Sequence, residues 1–248
     1  METIHGFHAV REALSAAPRR IRKIVLAEGR LDARSREIAD LAREHGIPVY
    51  REARGRRPHS PHHQGVMAEL TAFEWRELDE LLEKAPKPEF FLALDQIEDP
   101  RNLGAVLRTA DGAGVHGVVL PERRTAPPSE AAATASAGAL FHVPMARVTN
   151  LSDALSLLKK KGLWVVGLET GAPKPWFSFD FTSPVAIVLG SEGKGLRPRV
   201  ASQCDVLVGL PQRGKVASLN LSVAAGVVLY EVVRQRLPLH SAPGSAIL

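Results

Sequence analysis

The chain predicts an α/β protein: a parallel sheet covered on both faces by helices, preceded by a smaller α/β unit. Three observations carry this reading. Beyond residue 89, short apolar runs such as FFLALD (90–95), GVVL (117–120), LWVVGLE (163–169), Val185–Leu189 and Asp205–Leu210 alternate with segments of helical periodicity. Strands that alternate with helices predict a parallel sheet. Two of those strands, Val185–Leu189 and Asp205–Leu210, end in loops dense in glycine and polar residues, and the carboxyl ends of parallel strands are where ligands settle in such sheets. Finally, the acidic stretch EWRELDELLEK (74–84) and the two prolines of APKPE (85–89) interrupt the composition, which marks a boundary between two units.

Taken in order, Ile4, Phe7, Val10 and Leu14 recur at helical spacing, so residues 1–14 predict a short helix. IRKIVLA (21–27) reads as a strand, Asp32 caps a helix that runs to about His45 and stops at Gly46, and IPVYR (47–51) and GVMAEL (65–70) read as two further strands. The loop between them, ARGRRPHSPHHQG (53–65), is rich in Arg, His, Pro and Gly, a composition that favours mobility over packing. Past the boundary come a helix over Asn102–Gly114, a small-residue segment over Pro128–Gly138, a helix over Leu151–Lys161, and a closing helix from Ser218 to about Arg234. The domains expected are therefore 1–72, a linker at 73–88 and a larger domain over 89–240. The tail HSAPGSAIL (240–248) is expected to lack fixed structure.

Composition narrows the function. No apolar run reaches the roughly 18 residues of a spanning helix, and METIHGFHAVREAL has no signal-peptide core. A single cysteine, Cys204, excludes an internal disulfide and a multi-cysteine zinc site. A cytoplasmic protein is expected. The excess of 32 Lys+Arg over 27 Asp+Glu leaves +5, and between Arg19 and Arg57 there are 12 basic and 6 acidic side chains, clustered in RRIRK (19–23) and REARGRR (51–57). That asymmetry suits a polyanion, although a solvated basic face reads the same way. His59, His62 and His63 crowd one loop, but no acidic residue or cysteine in that stretch completes a ligand set, so no metal is expected.

Common nucleotide motifs are absent. GLPQRGKV (209–216) has P-loop spacing, yet Val216 stands where Ser or Thr must meet Mg²⁺, and Pro211 intrudes. No G-x-G-x-x-G follows a first strand. Three constellations remain. DPRNLGAVLRTADGAG (99–114) puts Asn102 at a strand-to-helix turn and Arg108 six residues on; read blandly, these are an N-cap and a solvated helix position. LGSEGKGL (189–196) sets Glu192 among glycines whose backbone can approach a ligand closely, or simply forms a turn. LPQRGKVASLNLSVAAGVVLYE (210–231) carries Ser218 and Asn220 where a loop becomes a helix, with Ser218 also readable as a cap.

As an ordered set, DPRNLGAVLRTA, VLGSEGKGL and LPQRGKVASLNLSVAAGVVLYE resemble the three motifs of the SpoU group of 2′-O-ribose RNA methyltransferases, over roughly residues 90–236. IHGFHAVREAL, HHQGV and ASAGALFHVP (135–144) resemble the branch that methylates a guanosine in the peptidyl-transferase loop of large-subunit ribosomal RNA. The resemblance implies a SPOUT-type domain with a deep trefoil knot, a small ribosomal-protein-like RNA-binding domain ahead of it, and S-adenosylmethionine as cofactor. It implies a cofactor cleft lined by Leu168, Leu189, Gly190, Leu210 and Leu219, with GLETGAP as a further wall. By the same resemblance Arg108 is the central catalytic residue, oriented by Glu192. Asn102 lies near the ribose, and Ser218 and Asn220 order the third motif. Partners implied are large-subunit ribosomal RNA and a second copy docked through the helix at 218–235, with neither DNA nor membrane. The motifs alone leave open a transfer-RNA ribose methyltransferase, a drug-resistance methylase at another ribosomal site, and a non-catalytic RNA-binding or assembly module that keeps the fold.

Overall fold

The computed structural model describes residues 2–27, 32–52, 65–215 and 218–237. The expectations for the His-rich loop and for the tail fall outside these residues.

The first sheet is built from β1 (Glu2–His5), β2 (Ile21–Ala27), β3 (Val49–Glu52) and β4 (Val66–Leu70). Its order is β1-β4-β2-β3, with only β2 and β3 parallel. Helices α1 (Phe7–Ala16) and α2 (Ala33–Glu44) cover it. The first turn of chain departs from the periodicity. Ile4 belongs to a strand paired with β4, and the helix starts only at Phe7. Gly6 has φ 91°, a conformation that a residue with a Cβ rarely adopts, and it turns the chain between the two. Asp32 caps α2 as expected, its carboxylate accepting from the Ser35 N–H at 2.7 Å.

The second sheet has seven strands, all parallel: β5 (Phe90–Leu94), β6 (Gly117–Pro121), β7 (Met145–Val148), β8 (Trp164–Leu168), β9 (Lys174–Pro175), β10 (Val185–Leu189) and β11 (Val206–Gly209). Their order is β7-β6-β5-β10-β8-β11-β9. β10 therefore lies between β5 and β8 along its whole length, with Leu189 opposite both Leu94 and Leu168. Alternation along β5 assigns the faces. Phe90, Leu92 and Leu94 pack with α4 (Pro100–Gly112), α5 (Glu130–Ala135) and α8 (Leu221–Arg236). Phe91 and Ala93 point to the other side, where α3 (Leu78–Lys84), α6 (Leu151–Lys160) and α7 (Pro198–Ala201) supply Leu78, Leu81, Leu155, Leu158 and Val200.

Several elements differ from expectation. The helix read over 74–84 begins at Leu78, because residue 76 runs extended: the Arg76 N–H donates to Met145 O at 2.9 Å. The small-residue segment becomes α5, and β7 and β9 are edge strands too short to announce themselves. The last helix starts at Leu221, with Asn220 rather than Ser218 as its cap.

The two units share one core. Ile4, Val10, Leu14 and Leu70 of the first join the cluster that contains Leu103, Ala132 and Val228 of the second. Two of the three stretches singled out for their branch resemblance, IHGFHAVREAL and ASAGALFHVP, meet at this junction. His5 Nδ1 contacts Glu130 Oε1, His142 Nε2 lies 3.0 Å from Glu12 Oε2, and a Cβ on Gly138 would sit 2.2 Å from Glu12 Cβ.

Candidate active site

The three motifs converge at the carboxyl ends of β5, β10 and β11. Asp99 caps α4, its carboxylate accepting from the Arg101 N–H at 2.8 Å. Because Asp99 satisfies the cap, Asn102 is free to use its amide elsewhere. Its Nδ2 donates to Glu192 Oε2 at 3.0 Å, and its Oδ1 accepts from Asn220 Nδ2 at 3.3 Å. Asn220 Oδ1 in turn accepts from the Ser222 N–H at 2.9 Å, which is the cap of α8. One amide thus joins residues 90 and 118 positions away in the chain, which no reading of each motif alone could show.

Beside this relay lies a cleft of about 260 Å³. Leu168, Leu189, Gly190, Leu210 and Leu219 all line it, together with Glu169, Thr170, Glu192 and Ser218. The loop after β10 is folded tightly on itself. Ser191 and Gly195 exchange backbone hydrogen bonds of 3.1 and 3.0 Å. A Cβ on Gly190 would stand 2.2 Å from the backbone carbon and oxygen of Gly195, and one on Gly195 (φ 66°) would stand 2.3 Å from Glu169 Oε1. These glycines are required by close approach.

Three residues unnoticed as individuals hold that loop. Glu169 Oε2 accepts from the Leu196 N–H at 3.0 Å. Asp95, 1% exposed, accepts from Arg197 Nε at 2.8 Å, from its Nη2 at 2.7 Å and from its backbone N–H at 3.1 Å. The Asp95 N–H donates to Leu189 O at 2.7 Å, so both ends of the loop are tied to the end of β5. The signal was present: FFLALD and LWVVGLE are apolar strands that each close on a lone carboxylate.

Arg108 stands apart. Glu192 is hydrogen-bonded to Asn102, and among the described residues no hydrogen bond or ion pair joins it to Arg108. The helix explains this: six residues advance about 9 Å and turn the side chain well away from that of Asn102. Arg108 instead lines a broad cleft of about 820 Å³ with Arg101, Glu130, Thr134 and the β1–α1 corner at His5–His8. The expectation that Glu192 orients Arg108 is therefore not met within one chain.

Comparison with known proteins agrees with the geometry. The SpoU rRNA methylase family model matches residues 89–230. A second model, for RNA 2′-O ribose methyltransferase substrate binding, matches residues 3–76. The chain belongs to the SpoU rRNA methylase family. It is 42% identical over 244 residues to the 23S rRNA (guanosine-2′-O-)-methyltransferase RlmB of Pseudomonas aeruginosa, covering 96% of this chain and 98% of that protein. It is 36% identical to the Escherichia coli RlmB, covering 95% and 99%. Among solved structures, the SpoU methyltransferase AviRb from Streptomyces viridochromogenes in complex with AdoMet superimposes with a TM-score of 0.78 at 27% identity, over 94% of this chain and 90% of that one.

The cleft suits S-adenosylmethionine. Leu168, Leu189, Leu210 and Leu219 offer apolar walls to an adenine, the glycine-rich loop presents backbone groups, and Glu169 and Glu192 place carboxylates where a sulfonium cation is favoured. Among the described residues no cluster of His, Cys, Asp and Glu could hold a metal ion, and no helix is long and apolar enough to cross a membrane.

Proposed function

We propose that this chain transfers a methyl group from S-adenosylmethionine to the ribose 2′-hydroxyl of a guanosine in 23S ribosomal RNA, in the peptidyl-transferase loop, as a cytoplasmic homodimer. The observation that carries the reading is the Glu192–Asn102–Asn220 relay set against a leucine- and glycine-lined cleft. The full-length similarity to RlmB proteins supports the guanosine and the 23S target. We also propose the trefoil knot, supported by β10 being inserted between β5 and β8. The division into an RNA-binding domain at 1–72, a linker at 73–88 and a methyltransferase domain at 89–240 is likewise a proposal, supported by the two sheets.

Bound in the cleft, the cofactor supplies an electrophilic methyl on a sulfonium. The chain must then hold the ribose oxygen in line with that methyl and ease the loss of its proton, and positioning alone can contribute several kcal/mol. Asn102 fixes one carboxylate oxygen of Glu192, leaving Oε1 free to accept the hydrogen of the 2′-hydroxyl. Asn220 fixes Asn102, and Ser218 and Leu219 close the cleft from the third motif. The Arg108 guanidinium acts as a fixed cation that stabilises developing oxyanion or adjacent phosphate rather than as a base.

Arg108 reaches this site from a second copy. Val223, Val227 and Tyr230 form an exposed apolar stripe on α8, at 52%, 36% and 51% exposure. The stripe runs beside the α4 ridge that carries Arg108, with the Tyr230 hydroxyl only 3.0 Å from where a Gly112 Cβ would lie. A partner docked on that stripe covers the ridge and offers its own Arg108 in exchange. Replacing Arg108 by Lys tests the role: a point charge without the planar fork should lose most turnover while cofactor affinity stays within twofold. Near-normal turnover would sink the assignment.

A further inference from the structure

A second pocket, of about 290 Å³, opens against the cofactor cleft and shares Ser191, Glu192, Lys194 and Leu221 with it. Its far wall is made by two loops that the motifs do not include, residues 96–98 after β5 and Arg124 after β6, with Asp99 at the start of the first motif beside them. The loops are clamped together by the Ala126 N–H, which donates to Ile97 O at 2.6 Å. Asn102 lines the pocket too, so its floor is the Asn102–Glu192 hydrogen bond.

The backbone here is held in an unfavourable shape. Gln96 (φ 62°) and Arg124 (φ 58°) are two of the three non-glycine residues with positive φ among those described, and both line this pocket. Residues with a Cβ avoid that region, and they persist in it when the side chain is needed where the strained backbone puts it. Next to Arg124, Thr125 Oγ1 is buried without a hydrogen-bond partner, a further cost borne by the same turn. The Arg124 guanidinium itself makes no hydrogen bond or ion pair among the described residues, nor does the Lys194 ammonium across the pocket. Two cations without a hydrogen-bonding or ion-pair partner among the described residues thus line the pocket, together with the carboxylates of Glu98, Asp99 and Glu192.

Resting on the methyltransferase reading above, we propose that this pocket receives the target nucleotide and that Arg124 is a positioning residue, gripping a phosphodiester next to the methylated ribose. The chemistry fits: a guanidinium fork matches a phosphate bidentately, and fixing the phosphate sets where the neighbouring 2′-oxygen stands relative to Glu192. The shared wall makes the geometry self-consistent, because a nucleotide in this pocket faces whatever occupies the cleft.

The test uses the full-length protein and three forms: unaltered, Arg124→Gly and Arg124→Lys. Glycine removes the guanidinium and also relieves the positive φ, so the melting temperature of Arg124→Gly should hold or rise, and S-adenosylmethionine affinity should stay within twofold. Its kcat/KM for RNA should fall by about 10- to 100-fold, the loss expected of a hydrogen bond to a charged group, carried mainly by KM. The slope of log KM against log salt should shrink by about one. Lysine, which keeps the charge without the fork, should recover part of the loss. Turnover of Arg124→Gly equal to that of the unaltered protein at every salt concentration overturns the proposal. So does a parallel fall in melting temperature and cofactor affinity, which would make Arg124 merely structural. Failure of the unaltered protein to methylate any RNA would strike the methyltransferase reading itself.

Discussion

Replacing Arg197 by Met should destabilise the protein and loosen the cofactor loop together. Asp95 is 1% exposed, and its carboxylate rests on Arg197 through the Nε, the Nη2 and the backbone N–H. Removing one partner of a buried pair costs about 3–5 kcal/mol, because a charge is left buried without compensation. Two features reduce this. The Arg197 side chain is 44% exposed, so water can reach the space it leaves, and its backbone N–H remains as a donor. The expected loss is about 2–3 kcal/mol. At roughly 2–4 °C per kcal/mol for a chain of this size, the melting temperature followed by circular dichroism should fall by about 4–12 °C. Since Asp95 also donates to Leu189 O at the root of the loop, S-adenosylmethionine affinity should fall with it. Asp95→Asn should cost less, because an arginine left half-exposed finds water. The double replacement Asp95→Leu, Arg197→Met should regain much of the stability, as apolar isosteres of buried pairs do. A melting temperature for Arg197→Met within 1 °C of the unaltered protein would refute this reasoning.

Other sites give further expectations. Gly190→Ala drives a methyl into backbone 2.2 Å away and should abolish cofactor binding by calorimetry, whereas Gly214→Ala, with nothing within 4 Å, should bind normally. Burial, reinforced by Asp205, pushes the Cys204 thiol up to about 12, so iodoacetamide at pH 8 should label it only after unfolding. Arg22 and Arg51 are exposed on the small sheet, and reversing both to Glu should weaken RNA binding in gel shifts and lower its salt slope by about two, leaving cofactor affinity unchanged.

The alternation of strands and helices in the second unit was legible because β5, β6, β8, β10 and β11 are short apolar runs, whereas the edge strands β7 and β9 carry polar or exposed residues and left no such signal. The start of the first unit was not: Ile4, Phe7, Val10 and Leu14 fit a helix, and only the positive φ of Gly6 separates strand from helix. A site at the ends of two neighbouring strands followed from their loops, whereas the cleft residues Leu168, Leu189, Gly190, Leu210 and Leu219 came from the family resemblance and lie around one pocket. The relay did not follow, because an asparagine at a helix start reads as a cap until another residue, here Asp99, is seen to fill that role. Arg108 shows the limit most plainly. Six positions along a helix place it on another face from Asn102, a fact available from helical geometry but overridden by treating the motif as one unit.

The most direct test is transfer of labelled methyl from S-adenosylmethionine to large-subunit ribosomal RNA taken from cells that lack this protein, with the new group mapped to its nucleotide and atom. A single 2′-O-methylguanosine in the peptidyl-transferase loop is the predicted result. Label confined to transfer RNA, or carried on a base instead of a ribose, would contradict it.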